Sequence, residues 1–274
     1  MTINCKGNLI DLSTPKVMGI INITPDSFFA ESRYKTDSVF LKQAENMLKE
    51  GATFIDLGGY SSRPGAEDIS IDAELERVVP AVELLTTNFP EVFISVDTFR
   101  SRVAEECILA GAAMINDISA GSLDKNMIAV VARHQTPYIM MHMRGTPQTM
   151  STLNDYDNML QEVMYYFSEK IREARSLGIN DLIIDPGFGF SKNIEQNFEL
   201  LSHLEFFKEL NLPLLAGLSR KSTIYKTLGC SADEALNGTT VLNTIAIKKG
   251  ANILRVHDVK EAMEVVKLTM ALKN

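Results

Sequence analysis

The sequence predicts an α/β protein, a (β/α)8 TIM barrel formed as one domain over residues 1–274. Three observations carry this. Eight short apolar runs each lead into a polar or glycine residue, helical sequence follows every one, and a glycine closes several of the helices. Strands alternating with helices give a parallel sheet, and eight such strands close on themselves. A length of 274 residues is slightly above what the architecture uses, about 250.

The elements follow in order. The first run, residues 17–21, ends at Asn22 and leads through a polar connection into a helix over 36–50, where Val39, Phe40, Ala44, Met47 and Leu48 recur at helical spacing. The second, 53–57, meets Gly58-Gly59 and a further connection to Ala66 before a helix over 72–86. The third, 92–96, ends at Asp97 with a helix over 101–110, and the fourth, 113–115, ends at Asn116 with a helix over 124–134. The fifth, 138–141, ends at His142 and precedes a helix over 155–176. The sixth, 182–184, ends at Asp185, with a helix over 194–210. The seventh, 214–218, runs into Ser219-Arg220-Lys221-Ser222 and then helical sequence, including a helix over 233–249. The eighth, 253–254, continues into Arg255-Val256-His257 before a helix over 259–271. Asp37, Ser101, Asp124, Asp155 and Asn193 stand where helix N-caps are needed. Gly51, Gly111, Gly178 and Gly250 stand where a helix end turns left-handed.

Composition narrows the function. Hydrophobic residues at 45 % and charged residues at 23 % are those of an ordinary globular protein. No apolar run has the ~18 residues of a membrane span, and the polar start is unlike a signal peptide, so a cytoplasmic protein without membrane partners is expected. A net charge of −8 argues against a nucleic-acid partner, which calls for a basic footprint. The three cysteines, Cys5, Cys107 and Cys230, are too scattered for a disulfide framework or a metal cluster. Cys107 belongs to an apolar helical face and reads as core.

In a parallel barrel the C-terminal ends of the strands face the active site. Asp97, Asn116 and Asp185 stand at three such ends and could point to the axis. Buried there, carboxylates need donors, which an amino-amidine edge of a heterocycle supplies; capping of a neighbouring helix is the competing role. Arg63, Arg220, Lys221, Arg255 and His257 form a cationic set after the second, seventh and eighth strands. In an acidic protein this set implies an anion, and phosphate sites in these barrels often lie at strands seven and eight. Asn22 offers an amide oxygen that could hold Mg²⁺ beside a diphosphate; a turn-stabilising role fits its position equally well. The four histidines lack the spacing of zinc ligands. His134 and His203 read as surface residues, and His142 as either barrel lining or core. The polar connections after the first two strands overhang the mouth and are expected to act as lids.

Met18-Gly19-Ile20-Ile21-Asn22-Ile23-Thr24-Pro25-Asp26-Ser27-Phe28 resembles the first signature of the dihydropteroate synthases. Asp56-Leu57-Gly58-Gly59 with Ser62-Arg63-Pro64-Gly65-Ala66 resembles the second. Ser95-Val96-Asp97-Thr98, Ile115-Asn116-Asp117, Met141-His142-Met143, Asp185-Pro186-Gly187-Phe188-Gly189-Phe190, Ser219-Arg220-Lys221-Ser222 and Arg255-Val256-His257-Asp258 continue it in order. The resemblance spans about residues 16–270. Tyr60 and Ser62 differ from the family's usual acidic residue and threonine.

The resemblance implies a transferase of folate biosynthesis, a sulfonamide target, joining 6-hydroxymethyl-7,8-dihydropterin diphosphate to 4-aminobenzoate with release of diphosphate. It implies a pterin site of Asp97, Asn116, Met141, Asp185, Phe190, Lys221 and Arg255, with Asp97, Lys221 and Asp185 catalytic. It further implies a diphosphate site of Asn22, Arg63, Arg255 and His257, with Mg²⁺ on Asn22. An aminobenzoate site of Phe28, Ser62, Pro64, Ser219 and Lys221, and a homodimer, complete it. The competing expectations are a methyltetrahydrofolate-binding barrel of a corrinoid methyltransferase, which would not need the cationic set, and a Schiff-base aldolase using Lys221. A non-catalytic pterin-binding scaffold is a third.

Overall fold

A computed structural model describes residues 1–23, 33–61 and 68–272. A two-stranded antiparallel hairpin, β1 (Thr2–Cys5) and β2 (Asn8–Asp11), comes first. Eight parallel strands follow: β3 (Lys16–Asn22), β4 (Phe54–Gly58), β5 (Phe93–Asp97), β6 (Met114–Asp117), β7 (Tyr138–Met141), β8 (Leu182–Asp185), β9 (Leu215–Ala216) and β10 (Ile253–Val256). Each pairs with its sequence neighbour, and β10 returns to β3. The ring closes where Ile184 bridges Leu214, with the Ile184 N–H donating to the Pro213 carbonyl at 3.0 Å. The predicted (β/α)8 barrel is therefore the fold.

The helices form the outer layer: α1 (Arg33–Glu50), α2 (Ile71–Asn88), α3 (Ser101–Leu109), α4 (Met127–His134), α5 (Met159–Ser176), α6 (Ile194–Ser202), α7 (Ser222–Leu228), α8 (Leu236–Lys249) and α9 (Val259–Ala271). Several boundaries differ from the sequence expectation: α1 starts at Arg33, so Asp37 lies inside it rather than capping it, and α8 starts at Leu236. The helix read over 194–210 is two pieces, α6 and a 3₁₀ segment over Leu204–Leu210, because His203 leaves helical geometry at φ −118°. Helix α5 begins at Met159 because Asn158, not Asp155, caps it by accepting from the Gln161 N–H at 3.1 Å. Asp124 is not part of a helix. Its carboxylate takes the N–H groups of Ser101 at 2.7 Å and Asn126 at 3.0 Å, tying the start of α3 to the approach of α4. Ser101 is accordingly a first helical residue rather than a cap. Asn193 does cap α6, in a reciprocal capping box with Gln196.

Side chains alternate along each strand. Ile55 and Leu57 of β4, like Ile94 and Val96 of β5, join the apolar layer between sheet and helices, where Cys107 is buried as expected. Phe54, Asp56 and Gly58 take the other face, toward the axis. The lowest inward tier is wholly apolar: Met18, Phe54, Met114, Ile139, Ile183, Leu215 and Ile253. Ile3, Cys5 and Leu12 from the N-terminal hairpin pack onto that tier, so the hairpin closes the floor of the barrel. The hairpin has no counterpart in the sequence expectation. His134 and His203 are half-buried at the helix layer rather than fully at the surface.

Candidate active site

Two residues above the apolar tier the same strands turn polar. Asp56 of β4 is fully buried, and its Oδ2 accepts from Arg255 Nε of β10 at 2.6 Å and from Asn116 Nδ2 of β6 at 3.1 Å. Arg255 also donates through Nη2 to Asp97 Oδ2 of β5 at 2.6 Å. Four strands thus meet across the axis through one guanidinium, two carboxylates and one amide. Burial and the nearby charges of Asp56, Glu74 and Asp117 push the Asp97 carboxyl up to about 7, against the pull of Arg255. The two carboxylates in turn hold the guanidinium firmly protonated, against the cost of its burial.

On the other side of the mouth, Asp185 and Lys221 approach each other. Asp185 ends β8, is 5 % exposed, and accepts from the Gly187 N–H through Oδ1 at 2.8 Å. Burial raises its pKa, and Lys221 opposes that rise. Lys221 donates to the Phe188 carbonyl, and its ammonium stands 4.9 Å from the centre of the Phe190 ring, a cation–π contact. Burial pulls Lys221 down to about 8, with Asp185 acting against that shift. A Cβ at Gly217 would lie 3.7 Å from Lys221 Nζ and 3.9 Å from Asp185 Oδ2, so both groups point to the same spot at the end of β9. Met141 and Phe190 belong to a small apolar cluster with Ile118, Met143 and Met150, which forms a wall of the mouth.

The loop carrying Phe188 and Phe190 is braced from behind. Lys192 is 9 % exposed and its ammonium reaches His142 Nδ1 at 3.0 Å, the Gly187 carbonyl at 3.1 Å and the Phe190 carbonyl at 3.0 Å. His142 is therefore a buried partner of a lysine, and burial together with that cation keeps its pKa well below the usual imidazole value. At Gly187 a Cβ would meet the His142 carbonyl at 2.1 Å, so only glycine fits.

Asn22 is exposed at the end of β3, in register with Gly58 and, across it, Asp97. Ser219 and His257 are joined, Ser219 Oγ to His257 Nδ1 at 3.0 Å, beside Lys221. Arg220 is a correction to the cationic set. It makes a two-point ion pair with Asp258 at 2.8 and 2.9 Å and donates to the Ala232 and Asp233 carbonyls, which makes it a strut between the last two loops. Phe28, Ser62, Arg63 and Pro64 lie outside the described residues, as do most of both expected lids. Tyr60, at the stem of the second, accepts from Gln148 Nε2 at 2.8 Å and packs edge-on to Phe99, with the Arg100 guanidinium 5.1 Å from its ring.

Sequence reasoning missed two residues of this assembly, Asp56 and Lys192. An acid between Ile55 and Leu57 in a buried strand was a usable signal for the first. Nothing local marks the second, whose partner His142 is fifty positions away.

The pterin binding enzyme family matches residues 18–257. Dihydropteroate synthase of Escherichia coli (strain K12) is 44 % identical, over 100 % of this chain and 98 % of its own. That of Synechocystis sp. is 43 % identical, over 93 % and 89 %. The Yersinia pestis dihydropteroate synthase in complex with a sulfonamide drug superposes with a TM-score of 0.92 at 40 % identity, covering 100 % of this chain and 99 % of that one. The Xanthomonas albilineans dihydropteroate synthase with 4-aminobenzoic acid gives 0.91 at 36 % identity, covering 99 % and 98 %.

Proposed function

This chain belongs to the dihydropteroate synthases, pterin-binding enzymes, and from that premise we propose how its barrel mouth performs their reaction. The reaction condenses 6-hydroxymethyl-7,8-dihydropterin diphosphate with 4-aminobenzoate to 7,8-dihydropteroate and diphosphate, a step of folate biosynthesis. The observation that carries the reading is the convergence of Asp97, Asn116, Asp185, Lys221 and Arg255 from five elements on one opening, in a chain 44 % identical to a dihydropteroate synthase along its whole length.

The pterin ring lies between the carboxylate–amide side and Lys221, against Met141 and Phe190. Asp97, Asn116 and Asp185 accept its N–H groups, and Lys221 donates to its ring carbonyl or nitrogen. The C–O bond between the methylene and the diphosphate breaks with its electron pair leaving on the diphosphate. Arg255, His257 and Arg63 offset the negative charge of the leaving group, while Asp97 stabilises the delocalised cation left on the pterin. The amine of 4-aminobenzoate, framed by Phe28, Ser62, Pro64, Ser219 and Lys221, then forms the C–N bond and loses a proton. Placement is what the aromatic amine needs, and no covalent bond to the enzyme forms.

Asn22 fits a Mg²⁺ role. It presents an exposed amide at the end of β3, in register with Gly58. Mg²⁺ favours such a setting, one or two protein oxygens with water and substrate phosphates, and when bound it neutralises charge growing on the leaving diphosphate. A homodimer would cover exposed apolar residues such as Val241 and Ile245 of α8 and Leu268 of α9. Three unpaired cysteines fit the cytoplasm.

The test is product formation from the pterin diphosphate with Mg²⁺, with 4-aminobenzoate present or omitted. Dihydropteroate should form only with the amine and fall when Mg²⁺ is chelated. Absence of amine-dependent product overturns the reading.

A further inference from the structure

We propose that Asp56 is a positioning residue for the pterin site, setting which end of the Asn116 amide meets the substrate and anchoring Arg255 on the barrel axis. The inference rests on the pterin-binding reading above and assigns a role below the groups that would touch the ring.

Asp56 is fully buried in the middle of β4, one tier beneath Gly58 and Asp97. Its Oδ2 receives both Asn116 Nδ2 and Arg255 Nε, while its Oδ1 has no hydrogen-bond partner among the described residues. An ionised carboxylate only accepts. Asn116 must therefore turn its NH2 down toward Asp56, which leaves the amide oxygen for the mouth. An amide held this way welcomes an N–H edge and rejects a carbonyl. Side-chain amides are oriented by their hydrogen-bond partners, and here one acceptor-only group decides the orientation.

The same carboxylate gives Arg255 a fixed point. Its guanidinium is shared, Nε on Asp56 and Nη2 on Asp97. When Asp97 turns to the donors of a bound ring, the Asp56 bond remains, and the freed Nη2 edge stays at the mouth instead of swinging into solvent. A buried cation that lost both carboxylates would be costly. Asp56 removes that cost from the exchange, so Asp97 can change partners.

The test is an exchange of the two side chains, read with 6-hydroxymethylpterin, which lacks the diphosphate, by calorimetry. It is accompanied by KM values for both substrates and thermal melts. Asp56→Asn should raise the pterin Kd and the KM for the pterin diphosphate at least tenfold, with the KM for 4-aminobenzoate within twofold. Asn116→Asp should do the same, because two carboxylates then face each other. The combined Asp56→Asn, Asn116→Asp protein regains one donor–acceptor pair with an acceptor outward, and should bind at least fivefold better than the weaker single variant. Kd and KM within twofold of the parent for Asp56→Asn would overturn the inference. So would a combined variant that melts normally yet binds no better than the weaker single. Loss of cooperative melting in all three variants would make Asp56 a residue of the fold alone and also overturn it. Variants that follow the exchange pattern, beside an unsubstituted enzyme that binds the pterin yet makes no dihydropteroate, would sink the functional reading and leave this inference standing.

Discussion

Strand β4 places Phe54 in the floor of the barrel and Asp56, two residues on, in the layer beneath the mouth. The contrast between those positions holds for the whole molecule. At the floor, Phe54 shares one cluster with Met18, Met114, Ile183 and the hairpin residues Ile3 and Leu12, all nearly or wholly buried and all apolar. Each such side chain contributes about 1.5–3 kcal/mol by leaving water. At the mouth, Asp56, Asn116 and Asp185 are as deeply buried but polar. There burial works against the charged forms, raising Asp97 and Asp185 and lowering Lys221 and Lys192. The floor gains stability from the barrel interior, and the mouth expends it to hold charges where substrate will need them.

The largest expected effect tests the floor. Phe54→Ala removes a fully buried ring from a packed tier and should cost about 3–5 kcal/mol, seen as a lower urea midpoint with unchanged slope. The KM for each substrate should stay within twofold at temperatures where the variant is folded. A large KM change would show that floor and mouth are not separable.

Lys221→Ala tests the other end. Lys221 holds the pterin ring and frames the amine, so its removal misplaces both reactants and should lower turnover about 10²-fold. Its own burial is unfavourable but it also offsets the charge of Asp185, so the urea midpoint should move far less than in Phe54→Ala. Unchanged turnover in a steady-state assay would remove Lys221 from the site.

A subtler effect separates the ends by pH. Asp97 is raised to about 7 from 3.8, so between those values the folded protein holds a proton that the unfolded chain has lost. Stability therefore falls as pH rises from about 4 to 7. Lys221 is lowered to about 8 from 10.5, so stability recovers as pH rises through that upper window. Asp185 is raised in the same way, so Asp97→Asn should make the lower limb shallower without abolishing it and leave the upper one, when urea midpoints are followed against pH. Phe54→Ala should shift the whole curve without changing its shape. A lower limb unaltered by Asp97→Asn would place its origin elsewhere.

The mouth was partly readable beforehand because a polar residue that ends an apolar run stands out. Asp97, Asn116 and Asp185 were found that way, and the structure brings them to one opening. Arg220 looked equal to Lys221 in sequence, yet its φ of +53° and its bond to Asp258 turn it into a strut, while Lys221 reaches the axis. Asp56 carries a local signal, an acid inside a buried apolar strand, but its role is not local, because its partner Arg255 is 199 residues away. The hairpin was missed for a related reason. Its strands are only four residues each, and their apolar positions acquire meaning only beneath a closed barrel.

By itself the sequence determined the alternation of strands and helices, hence the barrel, and the ends at which polar groups would gather. Those features follow from spacing of two and 3.6 residues and from local turn chemistry, which need no distant partner. Only the tertiary structure decided which charges pair across the axis, which amide end faces outward, and which lysine or arginine reaches the mouth. Those outcomes depend on distances between strands far apart in the chain, and such distances exist only once the ring has closed.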